Sequence, residues 1–130
     1  MRYSLNDTVD ISGYPASRVV GIDKYTLRSL TGRLKQWTSY TLVSEDESLR
    51  WWLSDENAGL YCWLSANVDQ VKGEIDLTES GLCKLEIEGD STVSSPYSSV
   101  LFYRNGDEFY SLEAFDGDDE VFSMIGKIIK

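Results

Sequence analysis

Apolar residues recur at every second position along most of this chain, and no window keeps them at i, i+3, i+4 and i+7 between caps. Side chains of a strand alternate between two faces, so this period commits the chain to β-structure and leaves no helix to build a core. It is plainest around the tryptophans, all four of which lie between Trp37 and Trp63 in the pieces WTSYTLV, LRWWLS and LYCWLS. In the first piece Tyr40 and Leu42 share one face, and Trp37 and Val43 the other. In the second, Leu49, Trp51 and Leu53 oppose Arg50, Trp52 and Ser54. In the third, Leu60, Cys62 and Leu64 oppose Tyr61, Trp63 and Ser65. Both faces are largely apolar, which predicts three central strands covered on each side. The connectors 44–48 and 55–59 are acidic and of hairpin length.

Weaker strands flank this meander. Val9 and Ile11 alternate with polar residues near the start, and a longer strand runs over Ser17–Leu27, where Gly21 predicts a bulge or a close backbone approach. Residues 67–77 read as an edge strand, with a helical turn at 67–71 as the alternative. Cys83, Leu85 and Ile87 alternate with Lys84, Glu86 and Glu88, a strand with one wet face. Ser98–Tyr103 and Glu108–Phe115 flank Asn105-Gly106, which predicts a type I′ turn with both residues at positive φ. Val121–Ile129 is the last strand, expected to be broken at Gly126. About nine strands follow, hence an all-β antiparallel sandwich or a partly closed barrel built from meander hairpins. A chain of 130 residues suits one domain, 1–130. Two similar β-halves are suggested by a shift of sixty residues, which lays Trp37, Tyr40, Leu42 and Leu49 on Tyr97, Val100, Phe102 and Phe109.

The charge narrows function. Twelve Lys and Arg face 22 Asp and Glu, for a net charge of −10. Phosphate backbones and anionic membrane surfaces both call for basic faces, so direct nucleic-acid or membrane binding is not expected. A basic protein surface is the expected partner. There is no histidine, which removes His-based acid–base chemistry and His metal ligands. The opening MRYSLNDTVDI has no apolar signal run, and no stretch approaches the roughly 20 apolar residues of a spanning helix. A cytoplasmic setting is expected, with Cys62 and Cys83 buried and reduced.

The order LNDTVDI, RVVGI, WTSYTLV, RWWLS and YSLEAFDGDDEVFSMIGKII resembles the bacterial family of domains of unknown function numbered 4178. The likeness spans nearly the whole chain. It is most specific at Trp37, Tyr40 and Leu42, at Trp52 and Leu53, and at Glu113, Phe115, Glu120 and Gly126. Where that family carries Gly before Asp-Thr-Val, this chain has Asn6, which also tolerates φ > 0. The resemblance implies a cytoplasmic bacterial protein and supplies no catalytic residue.

Candidate sites are few. Asp116, Asp118, Asp119 and Glu120 form an acidic run with the alternation of a calcium loop. The glycine and glutamate such a loop needs fall on Val121 and Lys127, so no metal site is expected. These four carboxylates are instead the expected partner-binding residues. Glu113 shares a strand face with Phe109, Ser111 and Phe115, where a carboxylate would have a raised pKa or a salt-bridging arginine. Arg50, Trp52, Tyr61, Trp63 and Glu113 are the candidate ligand-binding residues, lining a pocket if the aromatics are not simply core. No nucleophile–base pair is visible, so no enzyme and no cofactor is expected. The reading is a non-catalytic binding or adaptor module. An acidic nucleic-acid mimic that inhibits a basic protein, and a small-ligand-binding barrel, are the alternatives.

Overall fold

The computed structural model describes residues 2–91, 93–115 and 121–129, the side chains of 93–97 excepted. Among the described residues ten strands form: β1 (Thr8–Val9), β2 (Ser17–Ser29), β3 (Leu34–Ser44), β4 (Arg50–Glu56), β5 (Gly59–Ser65), β6 (Glu74–Ile75), β7 (Gly81–Gly89), β8 (Val93–Asn105), β9 (Glu108–Phe115) and β10 (Val121–Ile129). Strands β2 to β5 make one antiparallel meander and β7 to β10 another. Two seams join them. β5 pairs β10, with Trp63 opposite Gly126, and β2 pairs β7, with Tyr25 opposite Ile87. The result is a closed eight-stranded antiparallel barrel, with β1 and β6 as short additions on β2 and β8. Closure satisfies the outer backbone groups that an open sheet would leave unpaired.

Register assigns every side chain to the wall's inner or outer face. Tyr40, Leu42, Trp51, Leu53 and Cys62 point outward, yet all are fully buried. Residues 2–16 cover them, bringing Val9, Ile11, Tyr3 and Tyr14 against this part of the wall. Tyr14 stacks on Trp51 at 4.9 Å, and Tyr3 meets Tyr40 edge-on at 5.3 Å. The buried Trp51 indole donates to Ser17 Oγ at 2.8 Å, and Ser17 Oγ donates to the Pro15 carbonyl at 2.8 Å, so no polar atom of the ring is stranded. The main buried core therefore lies outside the barrel wall. Away from this cover the outer face is wet, with Lys24, Arg28, Lys84 and Glu88 exposed on β2 and β7.

Several expectations hold and several are corrected. The faces of the three tryptophan strands are as the alternation predicts, and the register of β2 against β3 shifts between Val19 and Gly21. Asn6 takes φ 70°. Cys62 and Cys83 are both free and buried, on opposite faces of the wall. Residues 67–77 are not one edge strand: a 3-10 turn, Val68–Gln70, precedes the two-residue β6, because the polar run offers no alternating face to bury. β10 is not broken at Gly126. That residue is needed inside it, since a Cβ there would lie 2.5 Å from Cε3 of the Trp63 indole. The β8–β9 turn is also shifted by one residue. Asn105 pairs with Glu108 in the ladder, so Gly106 and Asp107 are the central residues. Only Gly106 has positive φ, 62°, which is the demand of a II′ turn and not of I′.

Candidate ligand-binding lumen

The inner face gathers aromatic side chains from seven of the eight barrel strands. Tyr25 comes from β2, Trp37 from β3, Trp52 from β4, Tyr61 and Trp63 from β5, Phe102 from β8, Phe109 and Phe115 from β9, and Phe122 from β10. Tyr25 stacks on Trp37 at 5.1 Å, Tyr61 on Trp63 at 6.2 Å, and Phe109 meets Tyr61 edge-on at 5.5 Å. In a filled barrel such residues would be the most buried of the chain. Here Tyr25, Trp37, Trp52, Tyr61, Trp63, Phe102 and Phe109 are only half-buried, whereas the outward-facing Tyr40, Trp51 and Leu53 are sealed. The inner face encloses room that side chains do not fill. Eight strands give an interior of the size that side chains fill or one small ligand occupies.

The two ends of this lumen differ. The lower end carries the β2–β3, β4–β5 and β8–β9 turns. There Lys35 Nζ pairs with Glu56 Oε1 at 2.9 Å and lies 5.6 Å from the ring centres of both Trp37 and Phe102, on β3 and β8. Trp63 Nε1 donates to Ser54 Oγ at 3.0 Å, and Ser54 Oγ donates to Glu56 Oε2 at 2.6 Å. Glu56, only 11% exposed, is thus held from two sides. Arg104 lies over Phe109 at 5.1 Å.

Toward the upper end the inner face turns acidic. Asp23 is buried and accepts from the Ser91 amide at 2.6 Å. Glu113 stands on β9 between Ser111 and Phe115 on the inner face, with Val100 opposite it on β8 and Phe122 on β10. It keeps partial accessibility, yet burial pushes its carboxyl above the usual carboxylate range. Both hold together only if the surface it keeps faces the enclosed lumen and not bulk water. Burial, then the charges of Glu113 and Asp23, push the Tyr25 hydroxyl up to about 12. Burial and the Glu113 charge also raise the Cys83 thiol. These acids therefore feel one another across the inner face.

Of the candidate ligand-binding residues, the fold brings Trp52, Tyr61, Trp63 and Glu113 onto the inner face, with Trp52 directly opposite Trp63. Arg50 does not join them. It sits exposed at the upper rim, and the cations found over aromatic rings are Lys35 and Arg104. Among the described residues no basic side chain is within ion-pair distance of Glu113; Arg18 bonds Asn6 and Arg104 pairs with Asp76. Asp116, Asp118, Asp119 and Glu120 lie outside the described residues. Of the other acidic loops, Glu45–Glu47 is at the upper end, whereas Asp55 and Glu56 are at the lower end, because β4 runs between the two. Those loops do not gather at one end as a meander of alternate hairpins would allow. Sequence reasoning missed Tyr25, Trp37, Phe102 and Lys35 as lumen residues. The period-two pattern placed each on a face, but only barrel closure makes those faces one surface. An open groove outside the lower end, lined by Asn105, Asp107, Glu108, Lys127 and Ile128, holds none of the candidate residues.

Among the described residues no helix is long and apolar enough to cross a membrane. Comparison with family models, with curated proteins and with solved structures found no match for the chain.

Proposed function

We propose that the protein is a non-catalytic binding module that takes one small, largely apolar ligand in the barrel lumen. The observation that carries this reading is Glu113, half-accessible and yet desolvated, among inward-facing aromatics that remain open to a small probe. Concave, aromatic-lined interiors with a few polar groups are the usual form of a small-molecule site. Binding without catalysis fits the chain's lack of histidine. It also fits Cys83, whose proton is held on sulfur by burial and by the charge of Glu113, leaving little thiolate to act as a nucleophile. A cytoplasmic setting fits two buried free thiols. Membership of the family that the sequence resembles is likewise a proposal, resting on the motifs alone.

The adaptor and mimic readings have less support. Glu45–Glu47 and Asp55–Glu56 lie at opposite ends, so their fields do not add, and Glu56 is already paired with Lys35. A nucleic-acid mimic needs carboxylates along one face, but the outer face of β2 and β7 mixes Lys24, Arg28 and Lys84 with Glu86 and Glu88.

The test is titration with N-phenyl-1-naphthylamine, a neutral aromatic fluorophore, followed by dye emission and by tryptophan quenching. Saturable binding of one dye per chain is expected, with a melting temperature that rises with dye concentration. Ser111→Phe places a ring from a buried inner-face position into the same space. It should abolish binding while the circular dichroism spectrum stays that of the parent. A folded protein that neither binds the dye saturably nor shifts its melting would overturn the lumen reading.

A further inference from the structure

The lumen has a chemical preference as well as a volume, and two features of its wall point the same way. At the lower end a cation from the chain itself already sits against the luminal rings. Lys35 Nζ lies between Trp37 and Phe102, 5.6 Å from each ring centre, with Glu56 as its counter-charge. The negative face of an aromatic ring attracts a cation, and more so where water is excluded. The upper half repeats the ingredients, with Trp52 and Tyr25 as rings and Glu113 and Asp23 as acids. Among the described residues, however, no lysine or arginine lies over a ring there.

The second feature is Ser98. It is 2% exposed and stands on the inner face of β8, opposite Cys83 on one side and Phe115 on the other. Its Oγ has no hydrogen-bond partner. A buried hydroxyl without a partner is uncommon and costs free energy unless something in its environment supplies one. Ser98 and Glu113 are diagonal neighbours across β8 and β9, a spacing of about 7–8 Å between their backbones that one small polar head can bridge.

We propose that the upper lumen is a site for an organic amine, its ammonium held by Glu113 and Ser98 and its apolar body against Trp52 and Tyr25. The proposal rests on the lumen reading and adds the class of ligand to it. An ammonium donates to the Glu113 carboxylate and to Ser98 Oγ, and the rings cover its carbon skeleton. A neutral apolar molecule would leave both acceptors unmet, and a carboxylate would meet Glu113 and Asp23 as like charges.

The groups that face Glu113 decide how pH acts. β2 presents Tyr25 and Asp23, and β7 presents Cys83. On the inner faces of β8 and β10 its neighbours are Ser98, Val100, Phe122 and Met124, none of which titrates. Arg50 is at the exposed rim, and Lys35 with Glu56 is at the other end. The amine needs the carboxylate form, so its binding releases a proton wherever Glu113 is protonated in the free protein, and affinity falls as pH is lowered.

The experiment compares 2-phenylethylamine, its neutral isostere propylbenzene and the anion 3-phenylpropanoate by tryptophan quenching and calorimetry on the full chain. The amine is expected to bind about tenfold or more tighter than propylbenzene at pH 8, and to lose that advantage in acid. Glu113→Gln keeps the shape and removes the charge, and should abolish the preference while leaving propylbenzene binding in place. Ser98→Ala should weaken the amine alone. Propylbenzene binding as well as or better than the amine, or a preference that survives Glu113→Gln, would overturn the amine assignment and leave the lumen reading standing. Failure of all three compounds, with the naphthylamine dye also unbound, would remove both.

Discussion

Glu113 shows most directly how one side chain ties stability to binding. Its carboxyl is pushed up by burial, so the folded chain holds that proton more firmly than the unfolded chain does. Between the ordinary and the raised value the folded state binds more protons, and stability therefore falls as pH rises through that window. The contribution is fully present below the ordinary carboxylate range and is lost above the raised value. At neutral pH the protein carries a charge in its lumen at a cost to the fold, as sites built for binding often do. Glu113→Gln is accordingly expected to raise the melting temperature at pH 8 and to leave it nearly unchanged below about pH 4. A variant that melts at or below the parent at pH 8 would remove the desolvation argument. The sequence already placed Glu113 on one face with Phe109 and Phe115, since a strand's period is local. That this face is an enclosed lumen depends on β10, β8 and β7 coming round beside it.

Among the elements, the β8–β9 hairpin is where local chemistry and ladder register meet. Asn-Gly reads as a I′ turn when judged by two residues alone. In the fold Asn105 is the last ladder residue opposite Glu108, and the turn belongs to Gly106 and Asp107. Register is imposed by the inward face of both strands, where Phe102 pairs with Ser111 and Arg104 with Phe109; a slip of one would turn every inward ring outward. Gly106→Val puts a β-branched residue at φ 62° and should cost about 1 kcal/mol or more in chemical denaturation. Asn105→Ala, in ordinary strand geometry, should cost clearly less. Equal losses at the two positions would restore the I′ assignment. The N-terminal segment makes the same point differently. Its alternation of Val9 and Ile11 looks like one more weak strand, but only Thr8–Val9 pairs, and its main work is covering Leu42, Trp51, Leu53 and Cys62. Under that cover the Cys62 thiol is pushed up to about 11, chiefly by burial.

The whole molecule is two four-stranded meanders that close on each other. The sixty-residue echo pairs Tyr40 and Leu42 of β3 with Val100 and Phe102 of β8, strands that hold equivalent places in the two meanders. Neither half can close alone, because each supplies one edge to each seam, β2 to β7 and β5 to β10. One cooperative transition is therefore expected. All four tryptophans report on the first meander, whereas far-UV circular dichroism reports on both. The two signals should share a midpoint in thermal and in urea unfolding. Tryptophan emission changing ahead of the circular dichroism would mean that the halves unfold separately.

What the amino-acid order determined alone was everything carried by near neighbours. It set the strand period, the two faces of each tryptophan strand, the bulge at Gly21, and the wet face of β7. Each of these follows from the geometry of a few consecutive residues. The tertiary structure decided what lies on either side of those faces. Trp51 and Trp52 are adjacent in sequence and equally apolar, yet Trp51 is sealed under residues 2–16 and Trp52 looks into the lumen. No local pattern separates them, because the difference rests on contacts between residues far apart in the chain. The pairings of β5 with β10 and of β2 with β7 close the wall, and closure alone turns nine scattered aromatics and one carboxylate into a single interior.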